Sequence, residues 1–241
     1  MVIDLHSHVL PKMDDGSKST EMSLAMLKAA HEQHVDVVVA TPHFYGYREN
    51  IASFLARRAH AQRRLEEAME AANETAGTSL PFLMYGAEVA FFSGLTDLED
   101  LDSLCIGGTR TLLLEMPFAP WTRYELDAVS GLCLDRGYQV VLAHLERFYA
   151  LQKDDYVLES LLRLPLWVQV NAGSLLPVLQ RRPWLALFQE GRAQLLGSDC
   201  HNLSKRPPNL EAGRRMLQRK VGGQVLARMD ELGARLLGLG A

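Results

Sequence analysis

Histidines and carboxylates cluster at the ends of apolar segments. Five of the eight histidines end such segments, and they are His6, His8, His43, His144 and His201. In an extended strand residues i and i+2 face the same side, so His6 and His8 present two imidazoles to one point. Asp199 and His201 present a carboxylate and an imidazole in the same way. Two such pairs predict a metal-chelating site.

Two glutamates strengthen this prediction. Glu88 and Glu115 lie late in apolar segments, where a carboxylate is unfavourable unless it is paired, protonated or bound to a metal. Imidazole and carboxylate ligands without a thiolate suit Mn, Fe or Zn. The other histidines, His31, His34 and His60, fall in helical segments, and we expect structural roles for them.

Seven apolar segments are predicted to form the strands that position these residues. They alternate with helical patterns at 20–34, 51–76, 124–136 and 156–164, and an amphipathic helix follows residue 222. Alternation of this kind predicts a parallel α/β sheet, and seven repeats favour a closed or nearly closed barrel. We expect one domain covering residues 1–241. The predicted strands are 2–8, 35–43, 82–89, 111–117, 138–144, 166–173 and 193–201.

Composition narrows the class of protein. The 241 residues are 48% hydrophobic and 22% charged, which is typical of a globular enzyme, and a net charge of -4 argues against nucleic-acid binding. No segment approaches the apolar length of a membrane span, and the N-terminus has no signal-peptide pattern. The odd number of cysteines, three, favours a reducing compartment, so we expect a cytoplasmic protein. Mixed charges at 51–76 predict a solvated helix face with i,i+4 pairs.

Several motifs resemble those of the PHP (polymerase and histidinol phosphatase) superfamily. They are HxH at 6–8, TPH at 41–43, GAE at 86–88, HLER at 144–147 and SDCHN at 198–202. DDGS at 14–17, QVNAGSL at 169–175 and RPP at 206–208 resemble the manganese-dependent tyrosine phosphatases of bacterial capsule and exopolysaccharide synthesis, the CpsB/CapC type. This resemblance implies a distorted (β/α)7 TIM-like barrel of the PHP fold, with three divalent metal ions at the C-terminal ends of its strands.

The resemblance also implies a ligand set. Between Asp14 and Asp15 it favours Asp15, and Asp14 could instead orient a ligand histidine. Phe148 departs from the family's HxERY pattern, which should affect packing or substrate contact more than metal binding. Manganese is the implied metal, with Fe or Zn as alternatives. The nine implied ligands are His6, His8, Asp15, His43, Glu88, Glu115, His144, Asp199 and His201.

The chemistry expected at such a site is hydrolysis of a phosphomonoester by a metal-bound hydroxide. Arg147 and Arg206 are candidates to bind the phosphate oxygens, since a guanidinium can do so bidentately. A metal-bound water or His201 could supply a proton to the leaving group. The family resemblance implies a phosphotyrosyl protein as substrate, namely the tail of a bacterial tyrosine autokinase.

Other functions remain open from the sequence. Cys200 and Arg206 fit the C-x5-R spacing of cysteine-dependent phosphatases, but no glycine lies between them, and strand alternation should turn Cys200 away from Asp199 and His201. A PHP phosphoesterase acting on histidinol phosphate or another small monoester is possible. So are an amidohydrolase-like enzyme and a non-catalytic metal-binding regulatory module.

Overall fold

The computed structural model describes residues 1–76, 79–152 and 155–240. It contains nine short strands, all paired in parallel with their neighbours. Seven lie within the predicted segments, and β3 and β5 each extend one residue beyond theirs, to Phe44 and Ala90. The strands are β1 (Ile3–Ser7), β2 (Val37–Ala40), β3 (His43–Phe44), β4 (Phe82–Tyr85), β5 (Glu88–Ala90), β6 (Thr111–Glu115), β7 (Gln139–Leu142), β8 (Trp167–Asn171) and β9 (Leu195–Gly197).

Helices connect most of these strands. Three short 3-10 turns replace a helix between β5 and β6, and a π-helical turn at Gly131–Asp135 follows the third helix. The predicted helix at 20–34 ends at His31, because His34 adopts a left-handed φ of 59°. The helices are α1 (Thr20–His31), α2 (Ile51–Ala76), α3 (Arg123–Ser130), α4 (Glu146–Tyr149), α5 (Asp155–Leu161), α6 (Arg182–Gln189), α7 (Leu210–Lys220) and α8 (Gly223–Leu236).

The strands form a curled parallel sheet. Strands β1, β2 and β4 are hydrogen-bonded in the order β1-β2-β4, and the others in the order β3-β5-β6-β7-β8-β9. A parallel bridge between Ser7 and Cys200 brings β1 beside the end of β9. There the His8 N–H donates to Cys200 O at 2.9 Å, and the Asp199 N–H donates to His6 O at 2.8 Å. The first and last strands therefore lie side by side.

Two of the predicted strands are interrupted. The segment at 35–43 breaks at Pro42, which has no N–H to donate to a neighbouring strand. The segment at 82–89 breaks at Gly86, where a Cβ would lie only 2.8 Å from Ile106 Cγ1, so a larger residue would force its neighbour to shift. As a result His43 and Glu88 begin the short strands β3 and β5 instead of ending longer ones.

Buried aliphatic residues and helix caps explain these elements. Every residue of β1, β2, β5 and β9 is buried, as expected for strands covered on both faces. Ser19 caps α1 by accepting the Met22 N–H, and Thr122 forms a capping box with Glu125 at the start of α3. Within the described residues, no helix is both long and apolar enough to span a membrane.

Helix α2 differs in part from its prediction as a solvated face with i,i+4 pairs. Arg57 pairs with Glu49 in the preceding loop, and Arg58 donates to Gly86 O at 2.8 Å and Ser103 O at 3.1 Å. No i,i+4 ion pair is found within the described part of this helix. The two arginines therefore tie α2 to the loops around it.

Candidate metal centre

The predicted ligands lie at or next to the ends of the parallel strands. His6 lies in β1 and His8 directly follows it, whereas His43 and Glu88 are paired in register at the start of β3 and β5. Glu115 is the last residue of β6. All of these side chains therefore lie at one edge of the curled sheet.

Two further candidates lie in loops with unusual backbone geometry. His144 follows β7 with a φ of 31°, and Asp199 follows β9 with a φ of 51°. Such conformations are strained for non-glycine residues and are concentrated at functional sites. The predicted strand at 193–201 ends at Gly197, so strand alternation does not explain the common side predicted for Asp199 and His201. The loop nevertheless places Asp199 Oδ1 3.6 Å from His201 Nδ1.

Glu88 occupies the centre of the cluster. Its Oε1 lies 2.7 Å from His144 Nε2 and 3.4 Å from His6 Nε2. Its Oε2 lies 2.8 Å from His43 Nδ1 and 3.3 Å from His8 Nε2. One fully buried carboxylate therefore faces four imidazole nitrogens.

A second carboxylate, Asp199, faces the same histidines from the other side. Its Oδ1 lies 3.5 Å from His6 Nε2 and 3.4 Å from His8 Nε2. Glu115 Oε1 approaches His144 Nε2 at 3.5 Å. These carboxylates and histidines form one continuous cluster.

Asp15 completes the set from the solvent side. Its Oδ1 lies 3.5 Å from His43 Nε2 and 3.4 Å from His201 Nε2, and its side chain is 66% exposed. Together the residues form overlapping groups whose ligand atoms lie within 4.8 Å of one another. The groups are His8, His43 and His201; His6, His144 and Asp199; His6, His8 and Glu88; Asp14, Asp15 and His43; and His43, Glu88 and Glu115.

The outer nitrogens of three histidines are already engaged. His6 Nδ1 donates to Gln169 Oε1 at 3.1 Å, His8 Nδ1 to Asp14 Oδ2 at 2.7 Å, and His201 Nδ1 to Asp199 O at 3.0 Å. This arrangement leaves each Nε2 as a lone-pair donor facing the cluster, as in protein metal sites.

Several buried inward atoms have no well-formed hydrogen bond among the described residues. They include Glu88 Oε2, Asp199 Oδ1 and His201 Nε2, which have charged or polar neighbours in the cluster but no hydrogen bond of good geometry. Buried polar atoms without a partner are unfavourable. Divalent cations would satisfy them, so the donor set fits a cluster of several metal ions.

The close packing of charges in the cluster shifts the pKa of several of its members. Burial alone would raise the pKa of Glu88, but the surrounding histidines, His6 foremost, hold it well below its ordinary value. Burial and the nearby Glu88 charge raise the pKa of Glu115 to about 7. Burial and His8 lower the pKa of His201 to about 4. A neutral His201 at neutral pH has a free lone pair that can bind a metal.

Asp14 and Asp15 occupy distinct positions. Asp14 is largely buried, and besides His8 it accepts the His43 N–H at 3.0 Å and the Gly16 N–H at 2.9 Å. A Cβ on Gly16 would lie 2.4 Å from His8 O, so this loop requires glycine. The geometry gives Asp14 an orienting role and leaves Asp15 to face the cluster.

Gln169 and Asn171 support the site but were not predicted from the sequence as individual site residues. Gln169 Oε1 accepts the His144 N–H at 2.9 Å as well as His6 Nδ1, and its Nε2 donates to Asn171 Oδ1 at 2.8 Å. Asn171 Nδ2 in turn donates to Asp199 Oδ2 at 2.8 Å. Their signal in the sequence is the presence of two amides in the apolar strand β8, where a buried polar group needs a partner.

The two predicted phosphate-binding arginines lie at the rim of the cluster. Arg147 Nη2 lies 2.7 Å from Asp199 Oδ2, and Arg206 Nη2 lies 2.5 Å from the same atom. Each side chain remains about one third exposed. Asp199 thus turns Oδ1 to the histidines and Oδ2 to both arginines.

Cys200 does not take part in the cluster. Its side chain is 2% exposed, and burial raises the pKa of its thiol far above the ordinary value. A reactive cysteine needs a low pKa and access to solvent. The geometry therefore disfavours the cysteine-dependent mechanism.

A comparison with known protein families shows to which family the chain belongs. The model of the family described as "Capsular polysaccharide synthesis, CpsB/CapC" matches residues 2–232. The chain belongs to the CpsB/CapC family. This result confirms the resemblance found in the sequence motifs.

Curated relatives of this CpsB/CapC protein are tyrosine-protein phosphatases. CpsB of Streptococcus pneumoniae is 28% identical over 239 residues, which cover 92% of each chain. YwqE of Bacillus subtilis is 26% identical over 243 residues, which cover 98% of this chain and 91% of YwqE. The similarity thus extends over nearly the full length of both relatives.

Solved structures support the same relationship. The fold matches one of the crystal structures of YwqE from Bacillus subtilis and CpsB from Streptococcus pneumoniae, which are described as unique metal-dependent tyrosine phosphatases. The TM-score is 0.83 at 25% identity, covering 100% of this chain and 96% of the other. An amidohydrolase matches with a TM-score of 0.50 at 11% identity over 99% of this chain and 74% of its own, which shows a likeness of fold alone.

Proposed function

We propose that this CpsB/CapC protein is a metal-dependent protein-tyrosine phosphatase. The observation that carries the proposal is the convergence of imidazoles and carboxylates on Glu88 and Asp199, with Arg147 and Arg206 at the rim. The named activity of its relatives supports the same conclusion.

Nine side chains would hold three divalent ions, which we propose to be manganese. When bound, these ions supply Lewis acidity and an activated water for attack on phosphorus. The proposed metal site lies at the C-terminal strand ends of a single PHP domain, residues 1–241, closed as a distorted (β/α)7 barrel. The proposed ligands are His6, His8, Asp15, His43, Glu88, Glu115, His144, Asp199 and His201.

The protein's own residues position the substrate. Arg147 and Arg206 lie beside Asp199 Oδ2 and are partly exposed, so both can donate to the oxygens of a phosphate that enters from solvent. Asp14 and Gln169 fix the ring orientations of His8 and His6. A phenolate leaves readily, and the lowered pKa of His201 argues that this residue acts as a ligand and not as the proton donor.

Comparison of two substrates tests the proposal. With manganese added, we expect a phosphotyrosyl peptide to be hydrolysed with a much higher kcat/KM than histidinol phosphate. Glu88→Gln serves as the negative control, because it removes the charge of the carboxylate at the centre of the proposed metal site. Preference for histidinol phosphate would favour the small-monoester alternative, and no turnover of either substrate would favour a non-catalytic metal-binding module.

Family membership is the support for a proposal about the substrate in the cell. We propose the phosphorylated tail of a bacterial tyrosine autokinase as the partner, in the cytoplasm. Dephosphorylation of such a kinase by the purified protein, followed with an anti-phosphotyrosine antibody, is the direct test.

A further inference from the structure

A cleft of about 490 Å³ opens beside the metal centre. Asp15 and His43 of the cluster line it, as do Glu49 and Arg57; two further lining residues, Tyr45 and Arg48, are here called its outer wall. His43 is 12% exposed, whereas the other four cluster histidines are at most 2% exposed. The cleft is therefore a route from solvent to a histidine of the cluster.

The outer wall is a stack of aromatic rings and a cation. The Tyr45 ring stacks on the His43 ring with centroids 5.2 Å apart and an interplanar angle of 26°. The Arg48 guanidinium lies 4.6 Å from the centroid of Tyr45 and 5.3 Å from that of Tyr47. Such cation–π contacts hold a guanidinium in place while leaving its other face free.

A tight turn fixes this arrangement. The Arg48 N–H donates to Tyr45 O at 2.8 Å, and the Glu49 N–H donates to the same oxygen at 3.2 Å. Gly46 packs so closely against Phe92 that a Cβ would lie 2.4 Å from its ring. The position of the wall is thus set by the backbone.

Arg48 differs from its neighbour Arg57 in having no acidic partner. Arg57 pairs with Glu49, whereas no carboxylate of the described residues lies within ion-pair distance of Arg48. Arg48 is exposed. The exposed guanidinium of Arg48 is held over the rings of Tyr45 and Tyr47, beside the proposed phosphate site. Its planar face suits contact with another aromatic ring.

We propose that Tyr45 and Arg48 form the subsite for the aryl group of an aryl phosphate, and that they select aryl over alkyl phosphates. This inference rests on the proposed phosphatase function. A phosphate at the metal centre would project its substituent along the exposed edge of His43, where Tyr45 begins the wall. The ring of phosphotyrosine would then lie against Tyr45 and the guanidinium of Arg48.

A rival wall exists on the other side of the cluster. Phe148 packs on His144 with centroids 5.3 Å apart, and the exposed Phe118 packs on Phe148 at 5.7 Å. Phe148 is buried, so only Phe118 could receive a ligand there. A Phe118→Ala variant therefore separates the two walls.

Direct binding by calorimetry tests the proposal with two phosphonates that cannot be hydrolysed. We expect the manganese-loaded protein to bind phenylphosphonate roughly tenfold more tightly than methylphosphonate. Arg48→Ala and Tyr45→Leu should bring this ratio close to one while leaving the methylphosphonate Kd and the metal content unchanged. Tyr45→Phe keeps the ring and should keep the ratio.

Phe118→Ala and Arg163→Ala are the matched controls, since Arg163 is an exposed arginine that precedes β8 at the opposite end of the strands. Both should keep the wild-type ratio. An unchanged ratio in Arg48→Ala, or a ratio lost in Phe118→Ala, would overturn the proposed subsite. Failure of the loaded wild-type protein to bind methylphosphonate at all would instead overturn the phosphatase proposal.

Discussion

Asp14 Oδ2 lies 2.7 Å from His8 Nδ1, on the side of the imidazole that faces away from the cluster. The adjacent Asp15 points the other way, toward His43 and His201. Two consecutive aspartates of the DDGS motif thus take different roles, one orienting a ligand and one completing the ligand set.

Substitution of these two aspartates should give different phenotypes. Asp14→Ala removes an acceptor from His8 Nδ1 and the His43 N–H, so the metal-free protein should lose about 1–3 kcal/mol of unfolding free energy. Asp15→Ala removes an exposed side chain and should leave metal-free stability nearly unchanged while lowering metal content. Urea unfolding and metal analysis of both apo and loaded proteins measure this. Equal loss of apo stability in both variants would contradict the assignment.

Gln169 is predicted to govern metal affinity without touching metal. Gln169→Leu removes the acceptor for His6 Nδ1 and for the His144 N–H, and such supporting residues typically change metal affinity roughly 10–100-fold. Gln169→Glu keeps an acceptor oxygen and loses the donor to Asn171, so its effect should be smaller. Competition with a chelator of known affinity ranks the variants. If Gln169→Leu binds metal with wild-type affinity, Gln169 does not govern metal affinity.

The arginines should affect substrate more than metal. Arg206→Ala and Arg147→Ala each remove a charge-assisted donor, and we expect kcat/KM for a phosphotyrosyl peptide to fall roughly 10–100-fold. Arg206→Lys should recover only part of the loss, because an ammonium cannot bind bidentately. Metal content should stay at the wild-type level. Loss of metal in either alanine variant would reassign that arginine to holding Asp199.

Cys200→Ser should retain activity. The thiol is buried, and its pKa is raised by burial, so no thiolate is available for attack. Steady-state kinetics of this variant and of wild-type protein treated with iodoacetamide provide the measurement. A dead Cys200→Ser variant that still binds metal would favour the cysteine mechanism.

The strands could be predicted from the sequence because buried parallel strands are apolar. The meeting of the ligands could be predicted because most of them lie close to the ends of these strands. The sequence could not locate the breaks at Pro42 and Gly86, which make His43 and Glu88 begin strands. Nor could it foresee the left-handed conformations of His144 and Asp199, which depend on the surrounding loops. Asp199 and His201 do lie close together, but the loop after β9 places them there and not the alternation of side chains along a strand.

The supporting residues were harder to foresee than the ligands. Gln169 and Asn171 lie in a motif that carried the family resemblance, but only the three-dimensional contacts reveal the chain of hydrogen bonds from His6 to Asp199. Similarly, the pairing of Arg147 and Arg206 with one carboxylate oxygen links residues far apart in sequence. Local patterns contain no information on such contacts.

The central claim is that Glu88 and its neighbours hold several metal ions that are required for catalysis. The most direct measurement is metal content per chain by mass spectrometry, taken alongside phosphotyrosyl peptide hydrolysis, for wild-type protein before and after exhaustive chelation and for Glu88→Gln. We predict three ions per active chain, loss of activity together with the metal, and recovery when manganese is restored. Full activity in a chain shown to contain no metal would contradict the account.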